Sequence, residues 1–359
     1  MQKKIIALAI AAAFSAPAFA DVTVYGIVDA AVANVSNSGQ KSQVQAVSGG
    51  LSTSRLGVVT VEDVGDGVKV IAKLEYGLDS ETSSTIGAAR QQLLGVAGSF
   101  GTVATGYLQT AGYDWAVKYD PTAGSTVSPL QNMTTGNAQF LIGTKATATR
   151  AQRALAYISP DLGGVTVALN YVTAFVGLGN LTVANTAADV NITATVLSVN
   201  YAAGPLSVGG VYASTSHPAA TSTTDEKEYA LGASYDLGVA KLFTTYQSTK
   251  NNTAGTAGNS NKLYSLSGVI PAGPGAVAVS YAKAKIGTAA VGTDANGASY
   301  TLAYLYGLSK TSTIYGAFSK ASNGSGTNAF SVFNSGVAGG TSTLGASSTE
   351  IAVGLKKVF

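Results

Sequence analysis

Four arginines, Arg55, Arg90, Arg150 and Arg153, stand in a chain of 359 residues of which only 11% are charged. A guanidinium is permanently charged, planar and weakly hydrated, so its chemistry is attraction of anions rather than proton transfer. Arg55, Arg90 and Arg150 fall on segments that read as neighbouring strands with these residues facing inward. Arg90 is read inward on the premise that Leu93, rather than Leu94, faces lipid, because an arginine in mid-strand on the lipid side is costly. Three such groups would make a positive wall in a narrow aqueous passage, drawing anions and repelling cations. Lys73 and Glu75 share the inward face of another segment, and Lys118 and Asp120 lie in a long connection. The plainer reading makes the arginines rim groups that satisfy loop carboxylates such as Asp120. Arg153 has the other parity and is expected to snorkel to the membrane interface.

Covalent chemistry has little to work with. The one histidine, His217, sits beside Pro218 in a loop, and the chain has no cysteine. Neither a phosphate-binding glycine–lysine loop nor a His-Glu-x-x-His helix occurs, so no catalytic group, metal or cofactor is expected. Lys3 and Lys4, the apolar run Ile5 to Ala13, and Ala18-Phe19-Ala20 before Asp21 read as a cleaved secretory signal over residues 1–20. Losing its two lysines leaves 19 basic against 18 acidic side chains. A balance so near neutral gives no reason to expect nucleic acid as a partner.

Elements that could position the inward charges follow from period-two patterning. Val22, Val24, Val28, Ala30 and Val32 alternate with Thr23, Tyr25, Ile27, Asp29 and Ala31. In Val68 to Leu78, Val70, Ala72, Leu74 and Tyr76 alternate with Lys69, Lys73 and Glu75. One face suits hydrocarbon and the other must line water. Similar segments recur to Glu350–Phe359, about sixteen in all, each roughly the ten residues a tilted strand needs to span a bilayer. Unpaired strand edges cannot exist in lipid, so the last strand must close onto the first. The expected fold is therefore a transmembrane antiparallel β-barrel over residues 21–359. Short turns such as Gly98-Ser99-Phe100-Gly101 alternate with longer polar loops such as Asn34–Gly50 and Ala174–Val190, which puts both termini in the periplasm. Ten tyrosines, Tyr76, Tyr157 and Tyr281 among them, share the outward parity expected of an interfacial girdle. The connection Gln109–Thr149 is far longer than its peers and is expected to fold into the lumen as a constriction.

The chain resembles the trimeric general porins of β-proteobacteria. The likeness is carried by Asp21-Val22-Thr23-Val24-Tyr25-Gly26, Ser54-Arg55-Leu56-Gly57, Glu62-Asp63-Val64-Gly65, Arg90-Gln91 with Leu94-Gly95, Phe100-Gly101, Ser159-Pro160-Asp161-Leu162-Gly163, Tyr306-Gly307-Leu308-Ser309-Lys310 and the final Phe359. It implies sixteen strands, a homotrimer in outer-membrane lipid, and a third loop forming the eyelet. It also implies a basic cluster that favours anions, with Arg55, Arg90 and Arg150 on family arginine positions, and a terminal Phe359 read by the insertion machinery. Ala104 and Ala156 stand where relatives often carry a basic residue, which thins the positive wall. The expected function is passive diffusion of small hydrophilic solutes and ions with a mild preference for anions. The alternatives are an adhesive barrel without transport and a solute-specific channel. The latter would need an aromatic track along the bore, for which Tyr25, Tyr315 and Phe243 are few.

Overall fold

Alternating side chains put one face of every strand against lipid and leave each backbone needing partners on both edges, and the chain meets both demands by wrapping. The computed structural model describes residues 21–359 apart from 82–85, 136–139, 145, 147–148, 177–191, 217–224, 252–259, 288–293 and 333–340. The expected leader, His217 and most of the Ala174–Val190 loop lie outside the described residues.

The strand segments are β1 (Asp21–Asn37), β2 (Gln43–Ser48), β3 (Arg55–Gly65), β4 (Val68–Gly77), β5 (Ala89–Gly98), β6 (Gly101–Gln109), β7 (Arg150–Ile158), β8 (Val165–Val176), β9 (Ile192–Ala203) and β10 (Leu206–Ser216). They continue through β11 (Glu226–Asp236), β12 (Lys241–Asn251), β13 (Ser260–Ala272), β14 (Gly275–Lys285), β15 (Gly297–Ser309), β16 (Ser312–Asn323) and β17 (Ser347–Val358). Between β6 and β7 lie two short helices, α1 (Ala111–Tyr119) and α2 (Pro129–Thr135). Sequence neighbours pair antiparallel, and β1 pairs with β17 from Ile27 opposite Val358 to Asn37 opposite Ser348, closing the sheet. β2 and β3 both pair with the other edge of β1, as the upper and lower halves of one stave. Seventeen segments thus build a closed sixteen-stave barrel.

The alternation is plain on β14, where Ala278, Ser280, Ala282 and Ala284 are buried while Val279 and Tyr281 are exposed on the outer surface. Tyr157, Tyr171, Tyr201, Tyr235, Tyr264, Tyr281 and Tyr304 are exposed outside as the girdle reading requires. Tyr212 stacks at 5.0 Å on Tyr229 across the outer face.

The first hairpin departs from expectation. Asn34–Gly50 was expected to be loop, yet β1 continues to Asn37 and β2 begins at Gln43. Staves that project beyond the hydrocarbon need no apolar outer face, so hydrophobic patterning misses their upper ends. The second stave is also interrupted: the loop expected to end at Gly50 runs on, and Gly49–Ser54 leaves the ladder where alternation in Leu51–Val61 reads as one strand. Asp29, buried on the inward face of β1, creates the break. Its Oδ2 accepts hydrogen bonds from the Leu51 and Ser52 amides at 2.9 and 2.6 Å, and its Oδ1 accepts one from Tyr315 at 2.6 Å. Gly49, at φ +86°, makes the turn into the break.

Candidate functional site

The long connection folds into the barrel, and its anchors show why. The Thr110 amide bonds to the Thr149 carbonyl at 3.1 Å, pinching the neck of the loop. The Ala111 amide, an orphan donor at the start of α1, is satisfied by Asn170 Oδ1 at 2.8 Å. Residues 111, 112, 115, 116 and 119 form the buried stripe of α1. Trp115 Nε1 donates to the Gly209 carbonyl at 3.1 Å, and the Tyr119 hydroxyl lies 3.1 Å from Ser207 Oγ. A Cβ on Gly232 would sit 2.5 Å from the Tyr119 ring, so this close approach of helix to wall requires glycine.

From there the chain crosses the lumen. Asp120 turns it, accepting from the Thr122 amide and hydroxyl at 2.8 and 2.7 Å and from Ser128 Oγ at 2.5 Å. On the far side the interrupted stave receives it. Thr126 Oγ1, with one proton to share, lies 3.1 Å from the Gly50 carbonyl and 3.0 Å from Glu350 Oε1, and Thr53 Oγ1 donates to the Gly124 carbonyl. α2 docks through Asn132 Nδ2, which reaches Ser299 and Ser319. On the return, the Leu141 and Ile142 amides donate to the buried Glu228 at 2.5 and 3.1 Å, while Gln247 Nε2 bridges Glu228 and the Ile142 carbonyl.

Between this bridge and the β3–β5 wall lies a cleft of about 480 Å³, lined on the wall side by Arg55, Lys73, Glu75 and Arg90 and on the loop side by Tyr113, Val117, Ala123 and Gly124. Arg90 Nε donates to Glu75 Oε1 at 2.7 Å, and the Tyr25 hydroxyl donates to Glu75 Oε2 at 2.8 Å. Lys73 Nζ is 4.0 Å from the same carboxylate and 5.6 Å from the Tyr25 ring centre. Arg150 stacks 4.8 Å over Tyr113, with Nε and Nη2 buried and without hydrogen-bond partners. The Arg55 side chain makes no hydrogen bond or ion pair with the described residues. The carboxylates near this group are Glu75 and Asp114, whose Oδ1 accepts from Gln109 Nε2.

Arg55, Arg90, Lys73 and Glu75 thus line one cleft and Arg150 lies against its Tyr113, with Arg90 turned inward for a reason other than the one expected. Leu94 faces lipid and Leu93 faces in, the reverse of the premise above. Strict alternation would then turn Arg90 outward. A bulge intervenes: Glu75 pairs with Gln91 and Tyr76 with Ala89, so Arg90 is the extra residue and points inward beside Gln91. Asp120 is corrected outright. It is 4% exposed and spends both oxygens inside the loop, so it neither lines the cleft nor meets an arginine. Burial lifts its carboxyl above the ordinary aspartate value, partly offset by the bonds from Ser128 and Thr122. Lys118 is exposed on α1, 5.7 Å from the Tyr119 ring and off the cleft lining; partial desolvation, then the charge of Lys241, holds it below the ordinary lysine value. Phe359 pairs with Gly26 through both backbone bonds, its ring covering the glycine's face. Tyr315 is no part of an aromatic track, being fully buried on Asp29. The anchors Asp29, Glu228 and Glu350 were missed, although each is a carboxylate with inward parity in mid-stave, which needs a partner.

A sixteen-stave barrel bridged by its own third loop invites comparison with known proteins. The Gram-negative porin family model matches residues 7–326. A curated relative, outer membrane porin protein 32 of Delftia acidovorans, is 31% identical over the whole of both chains. The chain belongs to the Gram-negative porin family. This porin is thus an outer-membrane protein. It is also 26% identical to an outer membrane porin protein of Bordetella pertussis, over 76% of this chain and 74% of that one. Among solved structures it resembles the anion-selective porin from Comamonas acidovorans, with 28% identity, a TM-score of 0.80, and coverage of 95% of this chain and all of the other. OmpT of Vibrio cholerae, at 15% identity and a TM-score of 0.65, shares the fold alone.

Proposed function

We propose that this porin is a general diffusion channel through which small hydrophilic solutes and ions pass passively, with a mild preference for anions. One observation carries the sign: Arg55, Lys73, Arg90 and Arg150 gather around the cleft against the carboxylates Glu75 and Asp114. Among the described residues the Arg55 side chain has no hydrogen-bond or ion-pair partner and Arg150 forms no ion pair, so neither charge is cancelled by a direct partner. The relative described as anion-selective supports the same sign. Among the described residues the bore carries no aromatic track, which disfavours a solute-specific channel; a passage lined by water-facing charge disfavours a purely adhesive barrel.

The same reading makes the protein a homotrimer without enzymatic activity, exported by a leader over residues 1–20 that is removed before Asp21. Both termini lie on the side of the short turns, facing the periplasm. The test is a planar bilayer recording of the purified protein. Stepwise conductance in threes is expected, and in a potassium chloride gradient the reversal potential should lie on the anion side. Replacing Arg55, Arg90 and Arg150 together with glutamine should move it toward cations; an unmoved potential would remove them from the mechanism.

A further inference from the structure

Beside the basic cleft is a second cavity of about 240 Å³ whose wall is greasy where a water-filled bore is ordinarily polar. Leu93, Ala104, Leu108, Ala156, Ile158 and Ala168 line it. The pairings make these one contiguous patch: Leu93 lies opposite Gly106, Ala104 opposite Ala156, and Ile158 opposite Ala168, across β5 to β8. Beside them on the same inward face, the apolar cluster of Ala151, Ala154, Val172 and Ala194 extends the wall. Lys73, Gln91 and Gln109 border both cavities, so the cationic cleft opens onto the apolar wall. Among the polar groups of the second cavity, Lys73 supplies the positive charge, Asn170 is occupied by the Ala111 amide, and Asp114 supplies a negative charge.

We propose that this apolar wall, together with Lys73, forms a subsite for monocarboxylates with an apolar body. The inference rests on the anion preference proposed above and adds a solute class to it. A carboxylate held by Lys73 and the neighbouring arginines leaves its hydrocarbon portion against Leu93, Ala104 and Ala156, where burying apolar surface is favourable. The volume is sufficient, since roughly 150 Å³ of apolar cavity accommodates a benzene ring. Asp114, on the same cavity, repels a second carboxylate on the solute's body, so dianions are disfavoured.

The experiment measures block of chloride current through the full-length porin in planar bilayers by acetate, propionate, butyrate, 3-hydroxybutyrate and succinate. The half-blocking concentration should fall along the first three, by up to about fourfold per methylene buried. Butyrate should block better than 3-hydroxybutyrate and succinate. Leu93→Thr combined with Ala156→Ser should narrow the gap between butyrate and its hydroxylated analogue. Lys73→Gln should weaken both alike. Equal block by butyrate and 3-hydroxybutyrate overturns the subsite, whether or not the double variant folds. The potassium chloride reversal potential, taken on the same channels, separately reports the underlying preference. A cation-side potential overturns that reading, while the ratio between the two equally charged carboxylates still reports on the apolar wall.

Discussion

Glu75 governs how much of the positive wall the bore feels. Its two oxygens engage Arg90 and Tyr25, and Lys73 stands 4.0 Å away, so one carboxylate offsets part of the charge of two cations. It also orders them, because a charge-assisted bond holds the Arg90 guanidinium at a fixed height in the cleft. Glu75→Gln keeps a hydrogen-bond acceptor near Arg90 and deletes the charge. One elementary charge some 8 Å from a passing ion in water is worth about 0.5 kcal/mol. Its removal favours an anion and disfavours a cation by that amount each, so the anion-to-cation permeability ratio should rise roughly fivefold, read as a further anion-side shift of the reversal potential. An unchanged ratio would mean that Arg90 and Glu75 are already screened from the bore. Inward placement of Arg55, Lys73 and Glu75 was legible from alternation alone. That of Arg90 was reached from a mistaken premise, since a bulge shifts parity by one residue and leaves no hydrophobic trace. Asp120 was misread because a charged residue in a polar loop gives no sign of whether it caps a turn or meets solvent.

At the level of the element, the third loop is a strap fixed at both walls. α1 lies on β9 to β11 through Trp115 and Tyr119, the crossing is received by Gly50 and Glu350, and the return is latched on Glu228. Glu228 is fully buried, and both amides it satisfies belong to the loop. Removing it leaves buried donors without a partner, which costs about 1–3 kcal/mol for each. Glu228→Ala should accordingly speed amide hydrogen exchange at Leu141 and Ile142 and add noise to the open-channel current, with the barrel itself intact. Exchange as slow as in the parent would show that apolar packing of Phe140, Leu141 and Ile142 suffices. Length alone revealed that this loop was unusual. Its route was not legible, because the partners are carboxylates up to 224 residues away in sequence, as Thr126 and Glu350 are.

The whole molecule depends on its seam. β1 and β17 meet over eleven residue pairs, and Phe359 adds two backbone bonds to Gly26 beyond the last of them. Its ring covers the bare face of Gly26, so the glycine is shielded by its partner's side chain. Phe359→Ala should leave the sixteen-stave count unchanged but lower the temperature at which the barrel opens, followed by loss of heat-modifiable mobility in gel electrophoresis. An identical transition would confine Phe359 to a role in assembly. Closure was legible from the ends of the sequence, because lipid admits no unpaired edge. The interruption of the second stave was not, since Leu51–Ser54 reads as the start of a strand until Asp29 is seen gathering its amides.

The cations stand on staves tied into a closed ladder, whereas the aperture's width is set by a strap spanning between walls. Apart from Asp114 on α1, gauge and polarity are therefore under separate control. Insertions or trims in the crossing segment could widen or narrow the passage while its electrical sign stayed put, and exchanging a few stave residues could invert that sign at constant diameter. Lineages carrying this architecture have two independent dials for adapting to the molecules outside the cell.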